Sequence, residues 1–395
     1  MKAPTLARAF PRRAADLRIE PAESPRAFLE AQRAFYRSDP HYVPPLTLVD
    51  APLLSPKGNA FFARARAMFW LARDGRRCVG RISAVRNLVH DEFWGDRVGF
   101  FGHFEAAAPE VARALVEQAA AWLRDAGADV LRGPIDLSTN YRTGLLVEGE
   151  PGPPTMMMPH HPPHYAEWLE ACGLRKAKDV VALWVDNRTI DAERLRRLGE
   201  KIAARARVRL RPLVMRRFAT EIAEIWRLYN TIWERNWGFV PMAKAEFERQ
   251  ARGFKPICIP ELIQFAEADG VPVGFIVGLP DVNRAIRACN GRLLPFGWVR
   301  FLRELRRTDH LRVLTLGVQP SHRGRGIDAA LIQAVVSQGI ARGYRSAECG
   351  WVLEDNEAML APLRSIGARI YRRYRVYERP LDARVATAGA TADRS

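Results

Sequence analysis

Hydrophobic and polar positions alternate with period two in two well-separated stretches, "WLARDGRRCVGRISAV" (70–85) and "IQFAEADGVPVGFIVG" (263–278). Each reads as strand, tight polar turn, strand, and so predicts a hairpin. The second strand of each carries Val-Gly-x-Ile: Val79-Gly80-Arg81-Ile82 and Val273-Gly274-Phe275-Ile276. Downstream, Arg97-Val98 precedes Gly102 by the spacing at which Arg312-Val313 precedes Gly317, and each strand leads into an amphipathic helix. The helices close near Gly127 and Gly343, so the glycine-to-glycine intervals are 25 and 26 residues. "LEACG" (169–173) and "LRSIG" (363–367) then answer one another. Four matches in the same order point to a tandem duplication.

The chain divides accordingly into a flexible N-terminus (1–16), a first unit (17–186), a linking helix (187–204), a second unit (205–381) and a small, polar, disordered tail (382–395). The second unit carries extra sequence over about residues 280–310. There Trp298, Phe301, Leu302 and Leu305 fall at i, i+3, i+4 and i+7, with Arg300, Arg303, Arg306 and Arg307 crowding the other positions. This predicts a short basic amphipathic helix, either packed on its own domain or lying on anionic lipid.

Charge sharpens the picture. The 61 basic and 44 acidic side chains leave a net charge of +17, which attracts anions such as a polyphosphate cofactor or lipid head groups. No RNP-like aromatic strand, zinc knuckle or helix-turn-helix accompanies it, so nucleic acid is not expected as a partner. Five cysteines without a CxxC pair read as free thiols of a reducing compartment. No run approaches the roughly 18 apolar residues of a spanning helix, which places the protein in the cytoplasm, at most peripheral on the inner membrane. His160, His161 and His164 cluster, but the prolines at 159, 162 and 163 break any helical ligand face, and no metal site is expected.

Candidate chemistry begins at "RVLTLGVQPSHRGRGIDAAL" (312–331), a strand, a glycine turn and a helix. Free N–H groups and the positive dipole end converge at such a helix start, and glycine lets an anion approach the backbone. No Gly-Lys-Ser/Thr follows, so it is not a P-loop. Val318, Pro320, Arg323 and Gly326 match the pyrophosphate loop of the GNAT superfamily of acyl-CoA N-acyltransferases, and the second unit resembles that family over about 205–380. Asp328 departs from the family's small residue, and is expected to cap the helix or pair with Arg323 or Arg325. The first unit has "FEAAAPEVARAL" where the loop should be and is not expected to bind coenzyme A.

The resemblance implies an α/β (α+β) fold of two tandem GNAT-like domains, each with a mixed, mostly antiparallel central sheet flanked by helices. It implies acyl-CoA as co-substrate, held by Leu316, Gly317, Val318, Arg323, Gly324, Arg325, Gly326, Ile327 and Asn356. Family members often carry a tyrosine acid seven residues after the helix-starting asparagine; here that position is Leu363. N-acylation also needs the amine deprotonated, and Glu105, Glu234, Glu348 and Glu354 are the candidate bases. "GFFGHFE" (99–105), "RGPIDLSTNYRTGLLVEG" (132–149), "MMMPHHPPHYAEWLE" (156–170), "WERNWGFVP" (233–241) and "LPDVNRAIRACNGRLLPFG" (279–297) resemble the bacterial lipid-directed GNAT-like proteins that include ceramide synthase. That likeness implies transfer of a long-chain acyl group to a lipid amine, a sphingoid base such as sphinganine or its 3-keto form. Asn140, His164, Tyr165, Trp233, Asn236 and Trp237 would hold the acceptor, and an anionic membrane surface would be a partner. An acetyltransferase of a small amine or protein lysine, and a non-catalytic basic binding protein, are the competing readings.

Overall fold

A computed structural model describes residues 17–186 and 190–381; the expectations for residues 1–16 and 382–395, and for the first residues of the linker, lie outside these. In the first half, strands β1 (Leu17–Pro21), β2 (Ala65–Asp74), β3 (Arg77–Asn87), β4 (Val98–Ala106), β5 (Val130–Gly133), β6 (Leu145–Gly149) and β7 (Arg175–Asp186) alternate with helices α1 (Pro25–Ala31), α2 (Thr47–Asp50), α3 (Leu88–Trp94), α4 (Pro109–Asp125) and α5 (Tyr165–Ala171). The second half begins with α6 (Ala192–Ala206), β8 (Arg209–Pro212), α7 (Phe218–Trp233) and α8 (Lys244–Phe254). The hairpin β9 (Ile263–Ala268) and β10 (Val271–Pro280), α9 (Asn283–Ala288) and α10 (Gly297–Leu305) follow. It closes with β11 (His310–Val318), α11 (Ile327–Ala341), β12 (Ser346–Leu353), α12 (Glu357–Ser365) and β13 (Arg369–Pro380).

Both predicted hairpins form. A side chain on Gly80 would meet Leu115 of α4 at 2.6 Å, so this glycine lets α4 settle close to the sheet. One on Gly274 would first meet the Gly317 carbonyl of β11 at 3.1 Å, with Leu331 of α11 at 3.4 Å, so there the approach of the neighbouring strand is the tighter constraint. α4 buries Val111, Ala112, Leu115, Val116, Ala119 and Leu123, the stripe its periodicity predicted. α11 departs from the amphipathic expectation. It buries Ile327, Ala330, Leu331, Ile332, Gln333, Val335, Val336, Ser337 and Gly339, because α6 covers its outer side with Gly199 against Gln333.

The two halves share one mixed sheet, in the order β1-β2-β3-β4-β5-β13-β7-β12-β11-β10-β9-β8, with β6 beside β13. Within each half one parallel pair occurs, β4 with β5 and β11 with β12. The last strand of each half crosses over: β7 pairs with β12 of the second half, and β13 pairs with β5 of the first. "RIYRRYRVYE" (369–378) is therefore part of one long strand set between β5 and β7. Its Tyr374, Val376 and Tyr377 are fully buried. α7 and α8 cover one face of the second half's sheet, and α6, α11 and α12 the other.

Candidate active site

Parallel pairing between β11 and β12 begins at His310 with Ser346 and ends at Val313 with Cys349. Beyond that point the strands splay. The gap opens a cavity of about 270 Å³, lined on the strands by Leu314, Thr315 and Leu316 and by Gly350 to Leu353. One apolar lobe lies under α7 and α8, with Phe218, Ile222, Phe247, Ala251 and Phe254 on its wall. The other lies under α11 and α12, with Ile332, Val336, Met359 and Leu363. Thr315 Oγ1 is buried and has no hydrogen-bond partner among the described residues.

The first half's own splay is closed. Pairing of β4 with β5 ends at Phe100 with Arg132, and residues 134–144 fill the gap. The Ile135 N–H donates to Phe101 O at 2.7 Å, and the Ile135 carbonyl lies where a Gly102 side chain would be. That plug then reaches the second half. Thr139 Oγ1 donates to Gly238 O at 2.6 Å, Asn140 Nδ2 donates to Val240 O at 3.0 Å, and Tyr229 donates to Asn140 Oδ1 at 2.6 Å. Thr139, Asn140, Tyr141 and Met157 of the first half thus line the second half's cavity.

After β11, in a turn that does not itself line the cavity, Gly324 and Gly326 take left-handed conformations, with φ of 75° and 77°. Gly326, not Asp328, is the N-cap of α11, and no side chain caps the helix. Asp328 sits in the first turn, where its charge meets the positive helix end. Among the described residues it pairs with neither Arg323 nor Arg325. The first helical bond runs from Ala330 N–H to Gly326 O, so the N–H groups of residues 327–329 have no helical acceptor. Arg323 turns inward, donating to Val318 O at 3.2 Å and Ile232 O at 2.9 Å, which ties the loop to the end of α7. Arg325 is exposed. A glycine-opened helix start with spare N–H groups and two arginines suits a diphosphate.

Other expected residues distribute unevenly. Leu316, Trp233, Asn236, Asn140, Asn356 and Leu363 line the cavity. A side chain on Gly317 would meet the Trp233 ring at 2.6 Å, so the glycine lets that tryptophan lie on β11. Trp237 packs outside, under the Arg132 guanidinium 5.3 Å from its ring. Tyr165 opens α5 and bonds Glu105 and Ala106, and His164, the N-cap of that helix, lies tilted against the Trp168 ring at 4.3 Å. His160 pairs with Asp39, and His161 Nδ1 accepts the Leu146 N–H. Among the described residues no group of three His, Cys, Asp or Glu is placed to hold a metal ion.

None of the four expected carboxylates lines the cavity. Glu105 is buried in the first half, its carboxyl raised by burial, with Gln32, Tyr36, Tyr165 and Arg81 around it. Glu234 follows α7 as an exposed residue. Glu354 pairs with Lys176 and Arg373. Glu348 is fully buried and saturated: Arg312 donates to Oε1 at 2.5 Å, and Thr155 and Tyr371 donate to Oε2. Since Thr155 precedes the methionine run, Glu348 pins that first-half segment onto β12.

The sequence reading missed Glu246. It lies on α8, 4 % exposed, accepting from the Tyr141 hydroxyl at 2.8 Å, and burial pushes its carboxyl up to about 7. Tyr141 and Gln250, one helical turn beyond Glu246, both line the cavity. The available signal was weak, a glutamate in an ordinary charged helix. Its partner lies 105 residues away, in the other half.

Comparison with known proteins agrees with this geometry. The pattern defining the acetyltransferase (GNAT) family matches residues 222–367. Protein YghO of Escherichia coli is 36 % identical over 364 residues, covering 90 % of this chain and 93 % of the relative. The bacterial ceramide synthase of Caulobacter vibrioides is 35 % identical over 378 residues, covering 93 % of this chain and 98 % of the relative. Among solved structures, a tandem GNAT protein from the clavulanic acid biosynthesis pathway superposes with a TM-score of 0.57 at 15 % identity, over 93 % of this chain and 99 % of the other. A glycine turn opening a helix, a splayed strand pair and the tandem layout thus converge with these relatives, and the chain belongs to the GNAT family as a tandem N-acyltransferase.

Proposed function

We propose that the enzyme transfers a long-chain acyl group from its coenzyme A thioester to the primary amine of a sphingoid base, sphinganine or 3-ketosphinganine. The observation that carries this reading is the shape of the cavity. Apolar side chains of α7 and α8 on one face of the sheet and of α11 and α12 on the other line it around the strand splay, and the glycine turn that opens α11 follows β11 directly in the chain. A donor chain and an acceptor chain each need an apolar wall, and their reacting ends must meet between them. The likeness to a ceramide synthase along nearly the whole chain supports the same acceptor class.

In this reading the amine nitrogen attacks the thioester carbonyl carbon. The main chain of Leu316 to Val318 and the Thr315 hydroxyl stabilise the oxygen that gains charge. The amine's proton passes to the Tyr141 oxygen as Tyr141 passes its own to Glu246. The carbon–sulfur bond then breaks, the amide forms, and the coenzyme A thiolate leaves. Leu363, where relatives carry an acid, offers no proton, so the thiolate takes one from water or from protonated Glu246 through Tyr141.

The test is product analysis by mass spectrometry. Purified full-length protein is given sphinganine or 3-ketosphinganine with acyl-CoAs from acetyl to octadecanoyl. Amide formation favouring the long chains is expected; a preference for acetyl-CoA, or no amide with either base, overturns the reading.

A further inference from the structure

Among the described residues, five exposed large apolar side chains fall within nine positions where the second half carries its extra sequence. Leu294 is 70 % exposed and Phe296 76 %, and Trp298, Val299 and Leu302 continue the patch along α10. Leu48 and Val49 of the first half are also exposed. They stand just beyond Pro45, whose carbonyl abuts Gly291. Single exposed hydrophobic residues need no explanation, but a contiguous group with aromatic members marks an interaction surface.

Arginines surround the patch. Arg292, Arg300, Arg303, Arg306 and Arg307 are all exposed. The one acid of α10, Glu304, is engaged by Arg284, Arg303 and Arg307. Among the described residues no carboxylate pairs with Arg300 or Arg306. A second copy laid on this face would set arginine against arginine in a chain that already carries +17. Phosphates of an anionic bilayer would instead neutralise them while the apolar side chains enter the acyl boundary.

The inner side of α10 gives the surface its purpose. Phe301 and Leu305 pack into the cluster that holds Phe218, Ile222 and Leu314, and these three line the cavity. One helix therefore has its outer face bare and its inner face against the wall of the site. We infer that α10 and the preceding segment 292–296 dock on the surface of an anionic phospholipid bilayer, so that lipid substrates reach the apolar lobe beneath α7 without crossing water. This deepens the proposed function and rests on its reading that at least one substrate is a membrane lipid.

Flotation of the full-length protein with vesicles tests docking without turnover. Binding to vesicles containing phosphatidylglycerol, weak binding to phosphatidylcholine alone, and release by salt are expected. A Phe296→Glu/Trp298→Glu double variant, and separately Arg300→Glu/Arg306→Glu, should each bind at least roughly tenfold more weakly. Both pairs are exposed, so circular dichroism should match the parent. Amide formation from detergent-dispersed substrates should persist in both variants, while turnover of vesicle-borne acceptor falls. Parent protein that ignores anionic vesicles, or variants that float equally well, overturns docking whatever the fate of the acylation assay. Sedimentation showing a dimer that the double variant abolishes would make a second copy the occupant and would also overturn it.

Discussion

At the residue scale, the structure redistributes roles among carboxylates that look alike in sequence. Glu246 and Glu348 are both buried, yet their surroundings differ. Glu348 has a guanidinium and two hydroxyls upon it, whereas Glu246 has one hydroxyl. Replacing Glu246 by Gln should lower kcat by roughly 10²- to 10⁴-fold, the usual range for a lost general base. In the parent, kcat/KM should rise with pH through about 7 as Glu246 loses its proton, and the variant should lack that limb. An unchanged pH profile in Glu246→Gln would remove the residue from proton transfer. The same raised carboxyl has a stability consequence of definite sign. Folded Glu246 keeps a proton that the unfolded chain releases, so its contribution is present below the ordinary carboxyl range and is lost as pH rises through about 7. Glu348→Gln is different: it leaves Arg312, 3 % exposed, as a buried charge without its partner. Denaturant titration should show a loss of about 3–5 kcal/mol.

At the element scale, the start of α11 and the wall of α8 separate donor binding from chain selection. Gly326 has positive φ, and a side chain there would come within 3.0 Å of Ile202 on α6. Gly326→Val should therefore raise KM for acyl-CoA roughly tenfold, a loss of about 1.4 kcal/mol, with a smaller change in kcat. An unmoved KM would detach this loop from the donor. Ala251 lines the cavity beside α7, so Ala251→Phe should shorten the preferred acceptor chain in competition assays read by mass spectrometry. The elements themselves were legible where local patterning is strong: both hairpins, α4, α10 and the glycine turn before α11. The burial of α11 on nearly all sides was not, because the helix that covers it, α6, carries no mark of its partner.

At the scale of the whole molecule, β13 is the joint. It pairs with β5 and β7, and this second-half strand buries Val376 and Tyr377 in the first half's core and Tyr374 beside Val180 and Leu353, joining halves that the repeat makes look separate. Calorimetry should accordingly show one cooperative unfolding transition, and a chain ending at residue 368 should lose both halves' tertiary signal; two independent transitions would contradict the coupling. The sequence by itself determined the duplicated strand-and-helix pattern, the hairpins with their Val-Gly-x-Ile strands, and the glycine turn that opens α11, since each depends on residues close together in the chain. Only the tertiary structure decided that the halves exchange their last strands, that residues 134–144 plug one splay and wall the other, and that Glu246 meets Tyr141. Those outcomes join segments that are distant in the chain, 99 residues for Thr139 with Gly238 and 105 for Tyr141 with Glu246, and pairing at that distance is set by which edges and cavities remain open once the local elements have formed.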